Sequence, residues 1–229
     1  MRLLLIRHGQ TPSNVAGALD TAIPGAELTA LGYAQAAAVP AALADEDLAA
    51  IYASRLIRTP LTAAPLARAR RLEISVREGL EEISAGELEM RNDQAARHGY
   101  ADCLAAWMSG DLSRPMPGGV DGHAFWGAYD ASIRGIVADH RPDETVAVFT
   151  HGAAVRVFTA LAARLPPEVA VELSIANTGM SVLEGGRESD WELRTWLSEP
   201  LGGPELVDRQ VHDVTGESVE EAESDGDDW

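Results

Sequence analysis

The sequence predicts an α/β fold, a three-layer α/β/α sandwich around a mostly parallel central sheet. Two observations predict it. Short runs of Leu, Ile and Val alternate along the chain with longer segments whose apolar residues recur at helical spacing. The short runs are rich in Leu, Ile and Val, as buried parallel strands tend to be. A length of 229 residues fits one large domain, or one domain with a tail. It is enough to bury a core without disulfides or metals.

The elements follow in order. Residues 3–6, 48–53, 72–76 and 145–149 are the predicted inner strands. Residues 180–184 and 191–196 are strands nearer an edge. Residues 29–44, 58–69, 92–108, 123–139 and 153–164 are predicted helices, with Thr29 and Pro60 as start signals. Pro115, Pro117, Gly118 and Gly119 mark a loop between two of them.

Composition excludes several function classes. The formal charge is −18, with 36 acidic against 18 basic residues, which argues against a nucleic-acid or membrane-surface partner. All the basic residues are arginine. Without lysine there is no Schiff-base chemistry and no Walker-type phosphate loop. Phosphate recognition stays open, because arginine binds phosphate as a planar fork. The single cysteine, Cys103, rules out an internal disulfide framework and a multi-cysteine metal site. A reducing cytoplasm is the expected compartment. The apolar N-terminal run is cut off by Arg7 and His8, too soon for a signal peptide, and no stretch approaches the roughly 18 apolar residues of a membrane span. Residues 1–204 are expected to form the domain. Residues 205–229 hold ten acids against Arg209 alone, so this tail carries half the net charge. Composition reads it as a solubilising extension, disordered from about residue 217.

In open α/β sheets, ligands bind beyond the carboxyl ends of the strands. After the first predicted strand comes Arg7-His8-Gly9-Gln10-Thr11. After the second come Ser54, Arg55 and Arg58, and after the strand 145–149 comes Thr150-His151-Gly152. Two histidines and at least one arginine are therefore predicted to converge. Such a pocket suits a dianion, and Gly9 and Gly152 let backbone N–H groups come close to it. A neutral imidazole can attack phosphorus. Arginines beside it lower its pKa and stabilise the transferring phosphoryl oxygens. The leaving alkoxide needs a proton, for which Glu81, Glu82, Glu87 and Glu89 are candidates. No metal-ligand motif is present in the sequence, so neither a metal nor a cofactor is expected. A nucleotide-dependent oxidoreductase would need a glycine-rich turn where Arg-His-Gly stands.

The segment Leu5-Ile6-Arg7-His8-Gly9-Gln10-Thr11-x-x-Asn14 resembles the N-terminal signature of the histidine phosphatase superfamily, which holds cofactor-independent phosphatases and cofactor-dependent phosphoglycerate mutases. Ser54-x-x-x-Arg58-x-x-x-Thr62-Ala63, Leu80-x-Glu82-x-x-x-Gly86 and Val148-Phe149-Thr150-His151-Gly152 resemble its later blocks, in the same order, with Arg156 where an arginine often follows. The resemblance covers most of residues 2–185. It implies a phosphoglycerate mutase-like sandwich with a small helical cap, inserted at about residues 88–140. It implies that His8 is the nucleophile and that Arg7, Arg58 and His151 hold the phosphoryl group. Asn14, Gln10, Thr11 and Gly152 would complete the phosphate and substrate contacts. Glu82 would be the general acid and then the base, chosen over Glu81 on the four-residue step to Gly86. A homodimer stays open, since many relatives dimerise.

Departures from the pattern fall on the substrate side. Arg55 and Leu61 replace a common proline and glutamine, Glu87-Leu88-Glu89-Met90 keeps only part of the third block, and Gly119-Val120-Asp121 replaces a glycine-glutamate-serine step. The stretch from Glu82 to His151 is short and carries Trp107, Met108, Phe125 and Trp126. It looks like a phosphatase cap for an ester with an uncharged or partly apolar body, although helix packing accounts for the same residues. His98, His123, His140 and Cys103 read as structural or surface residues. The expected function is a phosphomonoester hydrolase acting on a small organic phosphate through a phosphohistidine. A phosphoglycerate mutase is the alternative. A non-catalytic phospholigand-binding protein is the alternative of another class, but it would not need both His8 and Glu82.

Overall fold

The computed structural model describes residues 1–186, 189–208 and 211–223. Strands are β1 (Arg2–Arg7), β2 (Leu48–Ala53), β3 (Ile74–Val76), β4 (Thr145–Thr150), β5 (Met180–Gly186) and β6 (Ser189–Leu197). Helices are α1 (Pro12–Val15), α2 (Ala30–Ala42), α3 (Arg58–Arg70), α4 (Gln94–Met108), α5 (Gly122–Asp139), α6 (Gly152–Ala162), α7 (Pro167–Ala170) and α8 (Val219–Glu223). Every predicted strand and helix is present. The short helices α1, α7 and α8 are additions that periodicity does not reveal. The predicted strand 72–76 starts only at Ile74. Arg71 ends α3 in the left-handed conformation (φ 57°), and the Leu72 amide bonds back to Ala67 O at 3.0 Å.

The strands form one sheet in the order β3-β2-β4-β1-β5-β6. β3, β2, β4 and β1 run parallel, while β5 runs antiparallel to β1 and closes a hairpin with β6 at the edge. Alternation along β1 decides what each face buries. Leu4 and Ile6 pack with Val39 and Leu43 of α2 and its following turn, and with Ala63 and Leu66 of α3. Leu3 and Leu5 face the opposite cluster, with Tyr100, Leu104 and Trp107 of α4, Tyr129 and Ile133 of α5, and Val155 and Phe158 of α6. Helices on both faces make the three layers.

The segment 88–140, expected as a cap, holds α4 and α5, and both belong to this second core cluster. Trp107, Met108 and Phe125 are buried there, Trp107 stacks on Phe125 at 6.0 Å between ring centroids, and Trp126 stacks on Phe158 at 5.5 Å. These side chains therefore pack helices, and the apolar substrate body inferred from them loses its basis.

The acidic tail also needs correction. Val214, Thr215, Ser218 and Ala222 are buried, α8 packs against α4, and the Val219 amide donates to Val171 O at 3.0 Å. Composition hid this because three well-spaced apolar residues are enough to seat a short segment on an existing core. Residues 224–229, the acidic end of the expected disordered stretch, lie outside the described residues. Among the described residues, no helix is long and apolar enough to cross a membrane.

Candidate active site

Strand register assembles the site. Arg7 pairs with Thr150 across β1 and β4, and Ala53 of β2 pairs with Phe149. The next residue of each strand, His8, His151 and Ser54, therefore emerges at one level beyond the carboxyl ends. His8 N donates to Thr150 O at 3.0 Å and Ser54 N donates to Phe149 O at 3.1 Å. The two imidazoles lie 5.2 Å apart, edge to face.

His8 is 2% exposed. Its Nδ1 donates to Gly9 O at 2.8 Å, which leaves the Nε2 lone pair outward. Burial first, then the Arg58 and Arg7 charges, hold this imidazole well below its ordinary pKa, so it is neutral. His151 is fully buried, shares a 2.7 Å hydrogen bond between Nε2 and Ser54 Oγ, and is held neutral by burial, Arg58 and its neighbours.

Arg58 begins α3, 3% exposed. Its Nη2 donates to Asp20 O at 2.7 Å, and the Asp20 carboxylate stands 3.6 Å from Nη1. Asp20 is itself held by Ser13 Oγ at 2.8 Å and the Ala26 amide at 3.0 Å. Arg7 donates from Nη1 to Ile175 O at 2.6 Å, and from Nη2 to Thr215 Oγ1 at 3.0 Å and to the Asp213 carboxylate. Four buried donor or ring nitrogens remain without a hydrogen-bond partner here: Arg7 Nε, Arg58 Nε, Arg58 Nη1 and His151 Nδ1. Buried polar nitrogens are rarely left unpaired; Arg58 Nη1 has the Asp20 carboxylate nearby, and the other three keep hydrogen-bonding capacity to spare.

Glu82 sits against the N-terminus of α6, 6% exposed. Its Oε1 accepts from the Ile83 and Ala154 amides, both at 2.9 Å, and its Oε2 from the Ala153 amide at 3.2 Å. Burial raises its pKa, opposed by these amides and by the Arg58 and Arg7 charges. A carboxyl group raised in this way holds a proton further toward neutral pH than an ordinary one. Glu81 instead faces outward and pairs with Arg55 at 2.6 Å. Glu89 clamps the loop before α2, accepting from the Thr21 and Ala22 amides at 2.9 and 3.0 Å. Glu87 is exposed.

The remaining expected contacts are placed differently. Thr11 caps α1 in a reciprocal arrangement with Asn14. Asn14 Oδ1 accepts from the Thr11 amide at 2.9 Å, and its Nδ2 donates to Asp213 at 2.8 Å. Gln10 ties Thr29 Oγ1 (2.8 Å) to Asp208 (3.0 Å). These three brace the loop, and the unpartnered nitrogens belong to other residues. Gly152 must be glycine on distance alone, since a Cβ would stand 2.5 Å from Thr215 O. Asp20, Asp213, Thr215 and the positioning of His151 by Ser54 were not read from the sequence. Ser54 stands in a matching block, which was a usable signal. Asp213 sits inside the acidic run, where composition gives none. His140, read as structural, links Tyr52 Oη (2.8 Å) to Glu144 (2.9 Å) away from this site.

Fold and site together define an α/β protein whose parallel strands end in a buried cluster of two histidines, two arginines and Glu82. The family model described as histidine phosphatase superfamily (branch 1) matches residues 3–199, and the chain belongs to that family. It is 38% identical over 224 residues to the PE-PGRS family protein PE_PGRS11 of Mycobacterium tuberculosis, a match covering 91% of this chain and 38% of that protein. It is 32% identical over 122 residues to the adenosylcobalamin/alpha-ribazole phosphatase of Salmonella typhimurium, covering 53% of this chain and 59% of the relative. The chain thus spans less than two thirds of the length of these curated relatives. A solved mycobacterial glucosyl-3-phosphoglycerate phosphatase, in complex with VO3, superposes with a TM-score of 0.74 at 25% identity, covering 86% of this chain and 99% of that one.

Proposed function

We propose that the chain is a metal-independent phosphomonoester hydrolase that passes the phosphoryl group through His8. The observation that carries this reading is His8 itself. Its Nδ1 is committed to Gly9 O, and its neutral ring lies beside His151 and within the fields of Arg58 and Arg7, where Arg7 Nε, Arg58 Nε and His151 Nδ1 are buried without partners. The phosphatases among its relatives support the same reaction class.

In the first half-reaction Nε2 attacks phosphorus and the bond to the ester oxygen breaks. Glu82, protonated, gives its proton to the leaving alkoxide. Arg7, Arg58 and His151 hold the phosphoryl oxygens, and Gly9 O stabilises the imidazolium formed on His8. In the second half-reaction Glu82, now ionised, takes a proton from water as that water attacks phosphorus. The N–P bond breaks, and inorganic phosphate leaves with His8 neutral again. The substrate class is a small organic phosphate monoester. The enzyme is placed in a reducing cytoplasm, on the sparing use of cysteine in the sequence.

The test is phosphate release from a panel of phosphate monoesters in EDTA, with 3-phosphoglycerate included and 2-phosphoglycerate assayed in parallel. Release without isomerisation is expected. Isomerisation with little release makes the chain a mutase, and the absence of both activities overturns the catalytic reading.

A further inference from the structure

We propose that the segment 211–223 is a working part of this site, and that Asp213 is the residue that positions Arg7. The proposal rests on the phosphoryl-pocket reading above and goes beyond it, because residues 211–223 lie outside the stretch that matches the family, 3–199.

The guanidinium of Arg7 has two usable edges. Its far edge is held by Ile175 O, Thr215 Oγ1 and the Asp213 carboxylate. Its near edge, Nε, is buried without a partner and lies beside Gly152 at the start of α6. A carboxylate on the far edge fixes the plane of the fork and leaves the near edge for a phosphoryl oxygen.

Asp213 is itself well held. Its Oδ2 accepts from Asn14 Nδ2 at 2.8 Å, and its Oδ1 accepts from Thr215 Oγ1 at 2.8 Å. Its amide donates to Glu217 Oε1 at 2.7 Å, and Glu217 pairs with Arg97 of α4 at 3.4 Å. The Gly216 carbonyl accepts from the Ile175 amide at 2.7 Å. Gly216 leaves room for the guanidinium, since a Cβ there would run into Arg7 Nη1. Asn14 therefore joins the loop after β1 to Asp213, which explains why its side chain is spent on the segment.

A carboxylate near a phosphate-binding arginine could instead act as a plug that competes with the ligand. The two readings predict opposite signs. A positioning residue weakens phosphate binding when removed, whereas a plug strengthens it.

The experiment compares the full chain with Asp213→Asn and Asp213→Glu. It measures kcat and KM for p-nitrophenyl phosphate, and Kd for inorganic phosphate by calorimetry, with circular dichroism to confirm the fold. For Asp213→Asn we expect Kd and KM to rise about ten-fold or more, on the scale that small misplacements of a binding group cost. Asp213→Glu should recover part of the loss. In an Arg7→Ala background Asp213→Asn should add little, because the two residues act as one unit. Thr215→Val removes the neighbouring acceptor of Arg7 and gives the same reading, more weakly, where Asp213→Asn does not fold. Unchanged or tighter phosphate binding in a folded Asp213→Asn chain overturns the proposal. A wild-type chain that binds phosphate but hydrolyses nothing overturns the hydrolase reading alone, and the Kd comparison still decides the role of Asp213. A wild-type chain that binds no phosphate removes the pocket on which both rest.

Discussion

His8 is useful as a nucleophile only while it is neutral, and Glu82 as an acid only while it is protonated. Burial and two arginines push the first pKa down, and burial pushes the second up. Each shift moves its residue toward its working form, neutral for His8 and protonated for Glu82. kcat/KM should fall at acid pH as His8 gains a proton, and fall at higher pH as Glu82 loses one. Glu82→Gln should flatten the upper limb. It should also slow alkyl phosphates by about 100-fold or more while costing p-nitrophenyl phosphate far less, because a good leaving group needs no proton. Equal losses on both would move the acid elsewhere. His8→Ala should abolish turnover with the circular dichroism spectrum unchanged. At this scale the sequence was legible wherever a residue stands next to a strand end or a glycine. Glu82 was separable from Glu81 by spacing, and the structure puts one inside and the other on Arg55. Asp20 and Asp213 were not legible, because each meets its arginine only through the fold, 38 and 206 positions away along the chain.

The elements were read more completely than their partners. Continuous apolar runs located β1 and β4, since a strand buried on both faces has no polar side to show, whereas β3 and β6 lie at the sheet edges and carry polar and exposed residues. What the pattern could not tell is which apolar side chains face a ligand and which face another helix. Trp107 shows the difference. It is fully buried, stacks on Phe125, and donates from Nε1 to Arg114 O at 2.8 Å. Trp107→Ala should destabilise the chain by about 3–5 kcal/mol, read by urea unfolding. The KM of the surviving folded enzyme should stay within about two-fold of wild type, since removal of a packing contact does not touch the bound ester. A KM defect with intact stability would return Trp107 to the substrate.

For the whole molecule, the −18 charge is met at this site by two buried arginines, each backed by a carboxylate. Arg7, Arg58 and His151 all lie close to His8, and carboxylates pair with both arginines. On the proposed function, these arginines supply the charge stabilisation that a metal ion gives in metal-dependent phosphoryl transfer. EDTA should leave kcat/KM unchanged within error, and a loss restored by added metal would contradict the site. Composition treats residues 205–229 as a solubilising extension whose removal is harmless. The packing of Val214, Thr215 and Ala222 predicts instead that deleting residues 211–229 costs activity.

The central claim is a covalent phosphoryl group on His8. Its most direct measurement is a rapid alkaline quench of the full chain during turnover of p-nitrophenyl phosphate in EDTA, followed by peptide mass spectrometry. The structure predicts one phosphoryl group on the peptide containing His8, released by acid and absent in His8→Ala. Ester hydrolysis at full rate with no phosphoryl on that peptide, or with the group on another residue, would contradict it.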